Sequence, residues 1–239
     1  MAGALYGAIP GALKAYTGAH EVITTIMLNY IAINLTDYLA DGPLKDPDPG
    51  NIVARTAEIL ATAKIPMVAG IPLGFFVAAG VAVVIWWLLQ KTTFGYEIRT
   101  VGFNPHAARY AGMKVARTII GTMMVSGFLA GMGGAVETLG VVGRYQPGFN
   151  TGLGFDGITV ALLANTHPFG VLPASILVGA MKAGSAQMQV SAHVAKEIVD
   201  VILALILFFV SAETIVRWVF RSKAPPKELP KLTTGWSKQ

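Results

Sequence analysis

Residues 65–90 read IPMVAGIPLGFFVAAGVAVVIWWLLQ, 26 positions without one charged side chain. A helix needs about 20 mostly apolar residues to cross a bilayer core about 30 Å thick. This stretch is long enough, and its runs Phe75-Phe76-Val77 and Val83 to Leu89 are as apolar as lipid tails. The rest of the chain agrees with it. Of 239 residues, 54% are hydrophobic and 13% charged, and the mean hydropathy is +0.58. A soluble domain carries about 25% charge, and half that cannot furnish a water-facing surface. A soluble enzyme, a disordered chain and a nucleic-acid binder are excluded on that ground. Cysteine is absent, which removes disulfides, thiolate metal sites and cysteine nucleophiles. Glycine, at 27 residues, is enriched as in helices that approach one another closely in lipid.

Outward from residues 65–90, further spans follow. Thr118 to Val136 is charge-free over 19 residues. Gly157 to Met181 is charge-free over 25 but is interrupted by Pro168, Gly170 and Pro173. It divides into a short piece ending near Thr166 and a longer one over about 171–188. A more polar span covers about 21–40, and a last one about 194–220. The expected fold is therefore an all-α polytopic membrane bundle of six crossings over 1–220, followed by a basic tail, 221–239. Met1 to Leu13 is apolar and too short to cross. Its Gly3, Gly7 and Gly11 recur every four residues, as on one packed helix face, so it reads as the end of a longer helix in a chain shortened at its start.

Charge orients the spans. Residues 90–117 hold Lys91, Arg99, Arg109, Lys114 and Arg117 against Glu97, and residues 217–239 hold six basic residues against Glu228. Residues 41–64 hold three basic residues against Asp41, Asp46, Asp48 and Glu58. The positive-inside rule puts the first two segments in the cytoplasm and the third outside. The basic tail would lie near anionic headgroups. Its charges are not interleaved with stacking aromatics, so nucleic acid is not the expected partner.

Enzyme motifs are weak. No GxxxxGK[ST] loop is present, so ATP is not bound by that route. His20, His106, His167 and His193 are scattered, and no metal or cofactor is expected. Gly152-Leu153-Gly154-Phe155-Asp156 has one residue too many for the GxGD of intramembrane aspartyl proteases, with Asp200 near a span end as its sole partner. An ion-coupled carrier would favour inverted repeats and ionisable groups near mid-membrane, and neither is evident.

The informative segment is Thr92-Thr93-Phe94-Gly95-Tyr96-Glu97-Ile98-Arg99-Thr100-Val101-Gly102-Phe103-Asn104-Pro105-His106-Ala107-Ala108-Arg109-Tyr110-Ala111-Gly112. Asn104 is a good N-cap, Pro105 a good first helical residue and Gly112 a good stop. A short helix over His106–Ala111, small on one side through Ala107 and Ala108, suits docking into a partner's groove. An ordinary solvated loop is the competing reading. The run resembles the cytoplasmic coupling loop of bacterial ABC-importer permeases of the branched-chain amino acid, ribose and simple-sugar type. Glu21-Val22-Ile23-Thr24-Thr25-Ile26-Met27-Leu28-Asn29-Tyr30-Ile31-Ala32, Ser126 to Ala135 and Gly154 to Leu163 are similar to the nucleoside, basic-membrane-protein-type branch. The resemblance covers most of residues 3–220.

It implies a permease subunit of the bacterial cytoplasmic membrane, with nucleosides or simple sugars as cargo and branched-chain amino acids or ribose as the alternative. It also implies cytoplasmic ATP-binding cassette subunits, a second permease, an extracytoplasmic substrate-binding lipoprotein, and helices upstream of Met1. Carried over residue by residue, the contact with the ATPase falls on Gly102, Asn104, Pro105, Ala107, Ala108, Arg109 and Gly112. Polar groups inside spans are functional candidates. Thr25 and Asn29 share a helix face, Asn34 lies further along, and Glu137 closes the third span. These four are the expected substrate-pathway residues. The bland alternatives are helix–helix amide pairing for the asparagines and a wetted interface carboxylate for Glu137. Phe149 and Phe155 could stack on a ring or anchor the chain at the interface. Lys182 can snorkel and is assigned no site. Gly127 and Gly131 suit internal helix packing better than a dimer contact.

Overall fold

A computed structural model describes residues 1–47, 54–68, 70–148, 152–192, 195 and 197–211. The basic tail, Phe149 and His193 lie outside the described residues. The fold is an all-α membrane bundle, and it divides into two compact units, Met1–Leu153 and Gly154–Gln239.

In the first unit, α1 (Ala2–Thr17) ends at Gly18, whose φ of 71° gives the left-handed turn that glycine adopts freely. The next helix, α2 (Glu21–Asp41), is joined to it by the Lys14–Glu21 ion pair. The Tyr6 hydroxyl also donates to the Leu28 carbonyl at 2.7 Å. A loop with a small antiparallel pair, β1 (Met67–Val68) and β2 (Ile71–Pro72), leads into α3 (Leu73–Lys91). The charge-free run thus begins before its helix. Pro66 and Pro72 favour extended backbone in the residue before each, and the helix starts only after the second of them.

Beyond α3 come α4 (Thr93–Phe103), α5 (Pro105–Tyr110) and α6 (Val115–Glu137), the last continued by a π-turn over Thr138–Val142. The glycines at positions 3, 7 and 11 lie directly on α6. A Cβ at Gly3 or Gly127 would strike the carbonyl of the other, and one at Gly127 would come within 3.1 Å of the Gly7 Cα. The two small-residue stripes are therefore halves of one internal contact, made by dispersion between closely approaching backbones.

The second unit consists of α7 (Leu153–Leu163), α8 (Pro168–Ala192) and α9 (Glu197–Ser211). Val160, Ala164, Ala174, Val178, Val199 and Leu203 form its buried core. Proline at 168 suits the first turn of a helix, so α8 starts there, three residues earlier than expected. Among the described residues four helices are long and apolar enough to cross a membrane: Glu21–Asp41, Leu73–Lys91, the α6 stretch Val115–Val142, and Pro168–Ala192. Six crossings were expected. The 155–166 piece forms an 11-residue helix, about 17 Å long at 1.5 Å per residue, which is shorter than the hydrocarbon core. The last span is described only as far as Ser211.

Candidate functional site

The turn from α3 into α4 requires glycine at position 95. A Cβ there would lie 2.6 Å from the Leu89 Cα and would also strike the Leu88 carbonyl. The Thr92 hydroxyl oxygen caps α4 by accepting from the Gly95 N–H at 3.1 Å. At its far end Asn104 is extended, and its Oδ1 accepts from the backbone N–H of His106 at 2.9 Å and of Ala107 at 3.1 Å. Pro105 occupies the first position, where a missing N–H costs nothing. Gly112, at φ 81°, turns the chain back into α6.

The inner face of this stub is small and dry. Ala108 is 0% exposed and packs in one cluster with Val101 and Val115, bordered by Met113 and Ile119. Beside that cluster the buried Thr118 hydroxyl lies 3.1 Å from the Glu97 carboxylate, tying α6 to α4. Gly102, Asn104, Pro105, Ala107, Arg109 and Gly112 are exposed. Ala107 and Ala108 do not share a docking face, because Ala108 is buried against the bundle and Ala107 is exposed. Sequence reasoning missed Phe103 and Tyr110. They flank the helix at 91% and 93% exposure, two large aromatics on either side of a capped stub that together form an exposed apolar surface. Their signal was available, since apolar residues beside a capped six-residue helix have no core to enter.

The opposite end of this unit, about 28 Å away along the 19 residues of α3, is laced by hydrogen bonds between its loops. The Thr56 N–H donates to the Tyr145 carbonyl, and the Tyr145 N–H to the Thr56 hydroxyl, both at 3.0 Å. The Ile59 N–H reaches the Gly143 carbonyl and the Ile65 N–H the Leu139 carbonyl, also at 3.0 Å. Glu58 pairs with Lys64 at 2.6 Å and Arg144 at 3.8 Å, and the hydrogen bond from Lys64 holds its carboxyl below the usual range. Burial pushes the Tyr145 hydroxyl above its ordinary pKa. That hydroxyl donates to Asp37 at 2.7 Å and sits 2.8 Å from Thr36.

An open cleft of about 440 Å³ lies at this end, lined by Asn34, Asp37, Tyr38, Asp41, Gly42, Ala54 and Pro147. Of the four expected pathway residues it contains Asn34 alone. Thr25 is nine residues away on α2, about 13 Å along the axis and half a turn round it, and its hydroxyl is spent on the Glu21 carbonyl at 2.8 Å. Asn29 is exposed one turn above Thr25, and Glu137 is half-buried where α6 passes into the π-turn. Asp37, Tyr38 and Asp41 were missed, although with Asn34 they form an i, i+3, i+4, i+7 set on one helix face.

In the second unit, Lys182 is no lone snorkelling lysine. Its ammonium lies 2.7 Å from Asp156 and 3.3 Å from Asp200. Both aspartates of the protease alternative are ion-paired to one lysine, so they do not form a proton-sharing dyad. Phe155 is exposed. Among the described residues no group of three histidines or acids could hold a metal.

Comparison with known proteins places this architecture. The guanosine ABC transporter permease protein NupP of Bacillus subtilis is 42% identical over 223 residues, which are 91% of this chain and 64% of the relative. The nucleoside ABC transporter permease protein NupB of Lactococcus lactis is 35% identical, covering 90% and 61%. The glucose ABC transporter permease protein TsgB13 of Haloferax volcanii is 32% identical, covering 91% and 60%. The chain thus spans about three fifths of the length of these relatives. No solved structure matches it. The family described as branched-chain amino acid transport system / permease component matches residues 1–211, and with four helices able to cross a bilayer, a capped aromatic-flanked stub at one end and a laced cleft at the other, this chain is a multi-pass membrane protein that belongs to that family.

Proposed function

We propose that the chain is the membrane-spanning part of an ATP-binding cassette importer for nucleosides or related simple sugars, in a bacterial cytoplasmic membrane. The observation that carries this reading is the stub Gly102–Gly112. It is stiffened by its own caps, seated on α6 through Ala108 and exposed through Phe103, Ala107, Arg109 and Tyr110. A rigid exposed element with aromatic anchors suits a groove in another protein. The positive-inside rule puts it in the cytoplasm, where a cassette ATPase would bind. Closure of paired cassettes would push the stub, and α3, α4 and α6 would carry the displacement across the membrane, a two-state change biased by ATP bound elsewhere. Asn104, Pro105, Gly102 and Gly112 shape the contact, Ala107 and Arg109 touch the partner, and Ala108 transmits the load.

A second permease would complete the pathway, with Asn34 in the cleft at its outer end and Asn29 and Glu137 as further candidates, Thr25 facing the other side of α2, and an extracytoplasmic binding lipoprotein would deliver cargo to the end opposite the stub. Nucleosides and sugars are preferred to branched-chain amino acids because the relatives named above carry nucleoside, guanosine and glucose in their names. The test is ATPase activity of the assembled transporter in liposomes with its binding protein, screened with guanosine, ribose, glucose and leucine. Stimulation by a nucleoside or sugar is expected, and stimulation by leucine alone would reverse the choice of cargo. Phe103→Ala with Tyr110→Ala should weaken cassette binding at least about tenfold while the permease stays folded. Unchanged cassette binding in that double variant would remove the stub from the contact.

A further inference from the structure

We propose that the cleft at the C-terminal end of α2 recognises the vicinal hydroxyls of a pentose ring, with Asp37 as the residue that reads them. This rests on the import reading above and deepens it by naming the part of the cargo that is sensed and the residue that senses it.

The cleft, at about 440 Å³, falls within the range of small-molecule sites, about 300–1,000 Å³. Its polar atoms are mostly acceptors. Asn34 spends one amide N–H on the Tyr30 carbonyl at 2.8 Å and keeps its carbonyl oxygen and its second N–H. Asp37 accepts from the Tyr145 hydroxyl through one oxygen, and an ionised carboxylate has acceptor sites left on both. Asp41 adds a second carboxylate, with Lys45 only at 3.5 Å. An acceptor-rich lining selects a ligand that brings several donors and no negative charge, because two carboxylates repel a phosphate or a free carboxylate. No metal-binding group of three side chains is present among the described residues, so a cation lacks a built shell. Two hydroxyls on adjacent ring carbons supply two donors at the spacing of one carboxylate, and an acidic side chain receives a ribose hydroxyl in the same way in dinucleotide-binding folds.

Asp37 is also preorganised for this task. Tyr145 is anchored through its backbone to Thr56 and through its hydroxyl to Thr36 and Asp37. The carboxylate therefore loses little freedom when a ligand arrives. Tyr38, 70% exposed on the same helix face, offers a flat surface beside it for a sugar or a base.

The experiment compares initial uptake of guanosine and 2′-deoxyguanosine by the assembled transporter in liposomes with its binding protein present. The unaltered transporter should prefer guanosine. Asp37→Asn should lower that preference about tenfold, the value of a hydrogen bond to a charged group, by slowing guanosine more than 2′-deoxyguanosine, which keeps one of the two hydroxyls. Uptake of 2′,3′-dideoxyguanosine, which has neither, should hold steady and is the internal control for folding and for docking of the binding protein. A parallel fall in guanosine and 2′-deoxyguanosine uptake, or an unchanged ratio, would overturn the proposal, as would an unaltered transporter with no preference. Uptake of neither nucleoside by the unaltered transporter would instead overturn nucleosides as the cargo, and this inference with it, while import itself is decided by the ATPase screen with ribose, glucose and leucine.

Discussion

Ala107 and Ala108 are adjacent, identical and unlike in what they face. Ala108 is enclosed by Val101 and Val115, whereas Ala107 is exposed. Ala108→Arg would force a long cation into an alanine-sized space and should cost more than about 3 kcal/mol. Ala107→Arg should leave the fold unchanged and act only on the partner contact. Thermal unfolding of the two purified variants in detergent separates these effects, with a lowered midpoint expected for position 108 alone. Two other residues give pH signatures at the laced end. Burial raises the Tyr145 pKa. Its contribution is therefore complete below the unfolded value of about 10 and is lost as pH climbs through the higher folded value. Glu58 is the reverse case: Lys64 lowers its pKa, so its contribution is complete above about 4.3 and fades as pH falls through the lower folded value. A melting profile against pH should show an alkaline shoulder that disappears in Tyr145→Phe and an acid one that disappears in Glu58→Gln.

At the scale of elements, the α1–α6 contact depends on absent side chains. Gly127→Ala puts a methyl group against the Gly3 carbonyl and the Gly7 Cα, and the helices must part. A loss of about 1–3 kcal/mol is expected, as for other overpacked contacts. Gly133, on the same helix, has nothing within 4 Å of a built Cβ. Gly133→Ala should be neutral or stabilising by up to about 1 kcal/mol through helix propensity. Equal melting points for the two variants would contradict the packing described. In the second unit the short α7 carries Asp156, and the Lys182 ammonium on α8 neutralises it. Lys182→Met would leave two carboxylates without their cation and should lower the yield of folded protein. Asp156→Asn in the same chain should restore part of it, because a carboxylate left without its cation costs more than a neutral amide in its place.

For the molecule as a whole, the stub and the laced loops lie at opposite ends of the first unit, and the charge distribution assigns those ends to opposite sides of the membrane. The chain has no cysteine, so single introduced thiols report cleanly. A membrane-impermeant maleimide should label Glu58→Cys in intact cells and label His106→Cys only after permeabilisation. The reverse pattern would invert the topology and remove the stub from reach of a cytoplasmic ATPase.

Much of this architecture is legible in the sequence by itself. The length of charge-free runs follows from the thickness of the bilayer, and the caps at Asn104, Pro105 and Gly112 act within a few residues of themselves. The membrane class, most of the helices and the position of the stub could be read because the forces behind them are local or compositional. The tertiary structure decided which side of each helix matters. Ala108 turned inward while Phe103 and Tyr110 stayed exposed. Tyr145 came to orient Asp37 across 108 positions of sequence, and Lys182 gathered acids from two other helices. Such pairings depend on how the helices pack, and residue spacing within any one segment carries no record of that.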